Sequence, residues 1–163
     1  MKKIYLFLAA ALLLSATASA QVAKVGTTDY TDINEAIAAW KTSGGELTIL
    51  ADCEYKTATG DTITKASILN LNGKTLTWNS TYSQNAVVVG ADLTVSGGGT
   101  VLFNQTALSG GFSSLYVDTK DVSLVLNGVS IVTNQTNAKK KPGCVVKVYA
   151  AAKVDVFNST ITM

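Results

Sequence analysis

The sequence predicts an all-β chain wound as a parallel β-helix, a three-sheet solenoid with one capping α-helix near its N-terminus. Two observations carry this. A short phrase recurs four times: Leu69-Asn70-Leu71-Asn72-Gly73, Leu93-Thr94-Val95-Ser96-Gly97, Leu124-Val125-Leu126-Asn127-Gly128 and Val154-Asp155-Val156-Phe157-Asn158. The first residues of the copies are 24, 31 and 30 positions apart, a range in which one supersecondary unit repeats and stacks on its neighbours. Apolar residues recur at helical spacing in one stretch of the mature chain, and the rest is short β-rich runs parted by Gly, Asn or polar residues.

In chain order, residues 1–20 read as a signal peptide. Lys2 and Lys3 precede an apolar run from Ile4 to Leu14, and Ala18-Ser19-Ala20 supplies a small-residue cleavage site before Gln21. The run is too short to span a bilayer. Residues 21–163 are then one β-helix domain, exported to the periplasm, the cell surface or the medium, with no membrane span.

The capping helix is expected near 32–41. Thr31 is its N-cap candidate, Asp32 and Glu35 suit the first turn, and Ile33, Ala36, Ile37 and Trp40 share one face. Ser43-Gly44-Gly45 ends it. Strands are expected at 46–50, 62–64, 68–71, 75–78, 86–89, 93–95, 100–103, 114–117, 123–126, 130–133, 145–149, 154–156 and 160–163. An antiparallel sandwich has similar strands but no reason to repeat one phrase in one order.

Grouped in order, each repeat makes one coil of three strands. Leu69, Leu93, Leu124 and Val154 should form one inward column, and Leu71, Val95, Leu126 and Val156 a second. Gly73, Gly97, Gly128 and Asn158 supply residues that tolerate left-handed backbone at the tight turn. The last run, Thr160 to Met163, stops inside a coil. A chain truncated at its C-terminus is therefore the expectation, with end-to-end self-association of the open edge where nothing covers it.

The whole chain has 13 Lys and Arg against 11 Asp and Glu, and every basic residue is Lys. Without Lys2 and Lys3 the mature chain is neutral, which removes the global field that would recruit nucleic acid. Cys53 and Cys144 are separated by about three coils, or roughly 14 Å at the spacing of paired strands. A disulfide needs Cα atoms within about 7 Å, so both are expected to be free, Cys144 buried and Cys53 near a turn.

The opening Val25-Gly26-Thr27-Thr28-Asp29-Tyr30-Thr31-Asp32-Ile33-Asn34-Glu35-Ala36-Ile37, the segment Gly45-Glu46-Leu47-Thr48-Ile49-Leu50 and the later Leu69 to Leu76 resemble the right-handed parallel β-helix, or pectate-lyase-like, superfamily. The resemblance implies a right-handed solenoid whose helix covers its N-terminal end with Ile33, Ile37 and Trp40. The signal peptide and the opening are similar to exported proteins of Bacteroidetes. In that phylum Asp61-Thr62-Ile63 matches a short acceptor pattern for O-glycosylation. The fold hosts lyases, hydrolases, esterases, adhesins and binding modules alike.

Chemistry narrows the choice by exclusion. The chain has no His, which rules out imidazole bases and His-bound zinc. It has no Arg either, and the resemblance implies an arginine base in many of the superfamily's enzymes. Lys120 and Lys147 are the lysines on coil strands or their turns. Asp92, Asp118 and Asp121 are the carboxylates that would hold a Ca²⁺ beside them, although Asp is an ordinary turn residue. No other cofactor is expected.

Two surface features suit a polysaccharide or cell-surface glycan. Lys139, Lys140 and Lys141 concentrate positive charge in the loop before the fourth copy, where a solvated loop is the plainer account. Trp78, Tyr82, Phe103 and Phe112 fall in or beside loops that stacking brings to one edge, with Phe103 and Phe112 better suited to the core. The Asn-x-Thr triplets at Asn79, Asn104, Asn134 and Asn158 are glycosylation acceptors only in hosts with that machinery. The expected function is an exported, non-catalytic, glycan-contacting module. The alternatives are the N-terminal part of a carbohydrate-active enzyme, a polysaccharide lyase or glycoside hydrolase with catalytic coils beyond Met163, and a structural stalk or adhesin.

Overall fold

From β3 onward each strand bonds to its counterparts in neighbouring coils, one coil away along the axis, and this makes the chain a parallel β-solenoid. The computed structural model describes residues 20–106, 112–135, 143–149 and 151–163. Residues 1–19 of the expected signal peptide, and Lys139, Lys140 and Lys141, lie outside them.

The chain opens with a hairpin, β1 (Ala23–Val25) and β2 (Thr28–Tyr30), and then α1 (Ile33–Ser43). Three-strand coils follow: β3 (Gly45–Ile49), β4 (Cys53–Thr57) and β5 (Asp61–Ile63); β6 (Ser67–Asn70), β7 (Thr75–Ser80) and β8 (Val87–Val89). The next are β9 (Leu93–Ser96), β10 (Thr100–Gln105) and β11 (Ser113–Val117); then β12 (Ser123–Asn127), β13 (Ser130–Gln135) and β14 (Cys144–Val148). β15 (Lys153–Phe157) and β16 (Thr160–Thr162) come last. Sheet A runs β15-β12-β9-β6-β3-β1-β2, sheet B β16-β13-β10-β7-β4 and sheet C β14-β11-β8-β5. All pairings are parallel except those of β1 with β2 and with β3.

The helix forms where its apolar face predicts and packs on β1 to β4, burying Ile33, Ala36, Ile37 and Trp40. Its N-cap is Asp32, not Thr31. Asp32 is extended, and its Oδ1 accepts from Asn34 N at 2.7 Å, the capping bond that a β-hydroxyl one residue earlier does not make here. At the other end Gly44 donates to Trp40 O with φ at 70°, and Trp40 Nε1 donates to Gly45 O at 3.0 Å.

Three strands escape the sequence pattern: β1, β2 and β4. In β4, Glu54 and Lys56 face solvent and Tyr55 faces in, so a single apolar residue carries the alternation. Cys53 begins this strand just after the bend at Ala51, near a turn as expected, and Cys144 at the start of β14 is half-buried, not buried. Both are free thiols on different sheets, three coils apart.

The inner columns also differ from expectation in one coil. Leu93, Leu124 and Val154 are neighbours, as are Val95, Leu126 and Val156. Leu69, however, stands beside Val95, and Ser67 takes the place beside Leu93. The slip is two residues, one full pleat, so every inward residue stays inward. β6 and β9 are each four residues long and end together, Asn70 beside Ser96; Leu71 N then donates to Ser96 O, and the turn closes with Lys74 N donating to Leu71 O. The column Leu47-Leu69-Val95-Leu126-Val156 results. Its first four members are buried, while Val156 is 46% exposed.

Candidate functional site: the sheet B face and its corner groove

Alternation along sheet B sends one set of side chains into the core and the other to solvent. Inward, Tyr55, Trp78 and Phe103 are register neighbours, with ring centroids 4.6 Å apart for Tyr55–Trp78 and 5.9 Å for Trp78–Phe103. Trp78 is 2% exposed. Its candidacy as a surface platform for a sugar ring is therefore corrected: the pleat of β7 points it inward with Leu76 and Ser80. Its Nε1 is buried without a hydrogen-bond partner among the described residues, beside an apolar cavity of about 20 Å³ lined by Trp40, Leu69 and Phe103 among others.

Outward, three columns run along the axis. Thr75, Thr100, Ser130 and Thr160 are register neighbours, and Thr160 Oγ1 donates to Ser130 Oγ at 3.0 Å. Thr77, Leu102, Val132 and Thr162 form the middle column. The third is an amide ladder: Asn134 Nδ2 donates to Asn104 Oδ1 at 3.2 Å, and Asn104 Nδ2 donates to Asn79 Oδ1 at 3.0 Å. Asn79 Nδ2 reaches Glu54 Oε2 at 3.4 Å. The recurring Asn-x-Thr triplets thus have a structural cause at Asn79, Asn104 and Asn134, which occupy one position of successive coils. That spacing was the available sequence signal.

Beyond the ladder, the loops that follow β4 and β7, together with Thr106 just after β10, lie side by side. They enclose a groove of about 370 Å³ lined by Lys56, Thr57, Asn79, Thr81, Asn104 and Thr106. Next to it, further along the same loops, lies a second groove of about 240 Å³, lined by Gly60, Thr62, Tyr82, Gln84 and Asn85. Tyr82 is half-buried, and its hydroxyl donates to Gln84 Oε1 at 3.0 Å. A Cβ on Gly60 would stand 3.1 Å from the Tyr82 ring and 2.8 Å from Asn85 O, so the bare backbone at Gly60 lets the ring lie against the loop. Thr62 points out of β5, while Asp61 and Ile63 point in.

The other candidates are scattered. Asp92 Oδ1 accepts from Ser123 N at 2.8 Å, and Lys120 lies 3.8 Å from Asp121. Among the described residues no three acidic, Cys or His side chains come together as a metal-ligand group, so Asp92, Asp118 and Asp121 do not assemble a Ca²⁺ set there. Lys147 Nζ sits 5.4 Å from the centre of the Tyr116 ring. Phe103 is buried, and Phe112 is half-buried before β11. Among the described residues no helix is long and apolar enough to cross a membrane.

No family model, curated protein or solved structure matches this chain. Its assignment rests on its own coils: it is a parallel β-solenoid.

Proposed function

We propose that this chain is an exported, non-catalytic β-helix module of the periplasm or cell surface that contacts glycans along the two adjoining grooves, the corner groove and the one that holds Tyr82. The observation that supports it is the setting of Tyr82, a half-buried ring laid against Gly60 and flanked by amide and hydroxyl groups. An aromatic face of this kind packs on the apolar face of a sugar while neighbouring amides meet its hydroxyls. Lys2, Lys3, the apolar run and Ala18-Ser19-Ala20 support export. The segment Val25 to Ile37 supports a place with the pectate-lyase-like superfamily and a Bacteroidetes-type origin.

The test is affinity gel electrophoresis of the mature chain in gels containing soluble polysaccharides. Retardation by at least one polymer, weakened about tenfold or more in Tyr82→Ala, is the expected result. A Tyr82→Ala protein that folds and is retarded like the parent would remove the site.

A further inference from the structure

We infer that the ligand of this surface is an uncharged glycan chain, laid along the solenoid axis across the outer face of sheet B. The inference rests on the glycan-contacting reading above and names the ligand class.

From β7 to β16 every outward position of sheet B is a hydroxyl, an amide or an aliphatic side chain. Charge appears only at the margin, where β4 presents Glu54 and Lys56. Sheet A is likewise uncharged over β6, β9 and β12 but carries charge at both flanks, Glu46 on β3 and Lys153 and Asp155 on β15, and sheet C carries Lys147 on its edge strand; what sets sheet B apart is its amide ladder and its hydroxyl column. A uronate or sulfate polymer docking on sheet B would lose hydration from its anions and meet no row of cations in return. An uncharged polyhydroxyl chain meets no such cost.

The ladder also has the right unused capacity. A primary amide offers two N–H donors and two acceptor sites. In Asn79 and Asn104 the contacts along the ladder use one donor and one acceptor, which leaves one of each for neighbouring sugar hydroxyls. The hydroxyl column and the ladder repeat at the strand spacing of about 4.8 Å, comparable with the length of one pyranose unit, so consecutive sugars meet equivalent groups. Asn79 and Asn104 belong both to this face and to the groove wall, which makes the two one continuous surface.

Retardation of the mature chain is measured in gels containing hydroxyethyl cellulose or galactomannan, which are uncharged, and polygalacturonate or chondroitin sulfate, which are acidic, each at low and high salt. Thr77→Lys, which puts one charge in the middle column, and Asn104→Leu, which breaks the ladder, are run beside the parent with their melting curves. Retardation by an uncharged polymer that is insensitive to salt, and weakened about tenfold by Thr77→Lys, is expected. Retardation by the acidic polymers alone, lost at high salt, would overturn the uncharged class and leave glycan contact standing. Binding of an uncharged polymer unaffected by either folded variant would overturn the sheet B location. Retardation by none of the four would overturn both readings.

Discussion

Lys41, on the last turn of α1, forms an ion pair with Asp61 at the start of β5, and this contact ties the capping helix to the first coil. Asp61 is 2% exposed and Lys41 29%. The Tyr55 hydroxyl donates to both carboxylate oxygens, at 3.1 and 3.0 Å, so the buried anion is compensated from two elements. Replacing Lys41 with Met leaves that anion without its cation and should lower stability by about 2–3 kcal/mol. Adding Asp61→Leu to Lys41→Met should restore much of the loss. Urea denaturation of the single and double variants measures both. Equal midpoints in the parent and Lys41→Met would show that the pair holds nothing.

The same cluster sets an alkaline limit. Burial, followed by the negative charge of Asp61, pushes the Tyr55 phenol up to about 12. The folded state therefore keeps the proton where an unfolded tyrosine, ionising near 10, has lost it. This contribution is complete below about pH 10 and fades as pH rises through about 12, so stability falls across that window. Cys53, raised to about 11 by burial and then by Asp52, acts in the same direction from about pH 9 to about pH 11, so its loss begins before that of Tyr55. Urea midpoints between neutral pH and pH 12 should drop less steeply in Tyr55→Phe with Cys53→Ser than in the parent.

Gly97 and Gly128 both have positive φ, at 85° and 67°, yet they should differ on substitution. A Cβ at Gly97 would stand 2.0 Å from Asn70 Oδ1 and 2.8 Å from Asn72 N, whereas nothing lies within 4 Å of one at Gly128. Gly128→Ala should cost about 1–2 kcal/mol for its left-handed backbone alone. Gly97→Ala adds the collision and should cost about 3 kcal/mol or more. Thermal or urea unfolding of the two variants separates steric from conformational cost.

Leu126 and Val156 occupy one inner column but not one environment. Leu126 is 0% exposed and Val156 46%. Leu126→Asp buries an unpaired charge and should cost about 4 kcal/mol or more, enough to abolish the folded state of a marginal domain. Val156→Asp should cost about 1 kcal/mol or less. Circular dichroism of both variants, scored for loss of the β signal and cooperative melting, is the check.

Much of the architecture was open to reading because a solenoid writes its structure locally. Each coil repeats its apolar positions and its turn, so the phrase at Leu93, Leu124 and Val154 announces both strand and stacking. The helix was equally open, since Ile33, Ala36, Ile37 and Trp40 declare one face. β4 was not, because Glu54 and Lys56 hide a strand whose inward residue is Tyr55.

What the sequence determined by itself was the class of fold, the inward faces, the left-handed turn residues and the absence of imidazole and guanidinium chemistry. Tertiary structure decided register and surface. Facing has a period of two along a strand, so sequence cannot tell a pairing from its neighbour one pleat away, and only hydrogen bonding between the coils sets Leu69 beside Val95. The same kind of decision aligned Asn79, Asn104 and Asn134 into a ladder, whereas Trp78 faces inward by the alternation of its own strand with Leu76. Register and ladder depend on which residue of another coil lies alongside, a distance of 25 to 30 positions in the chain that hydrogen bonding between coils reduces to one strand spacing.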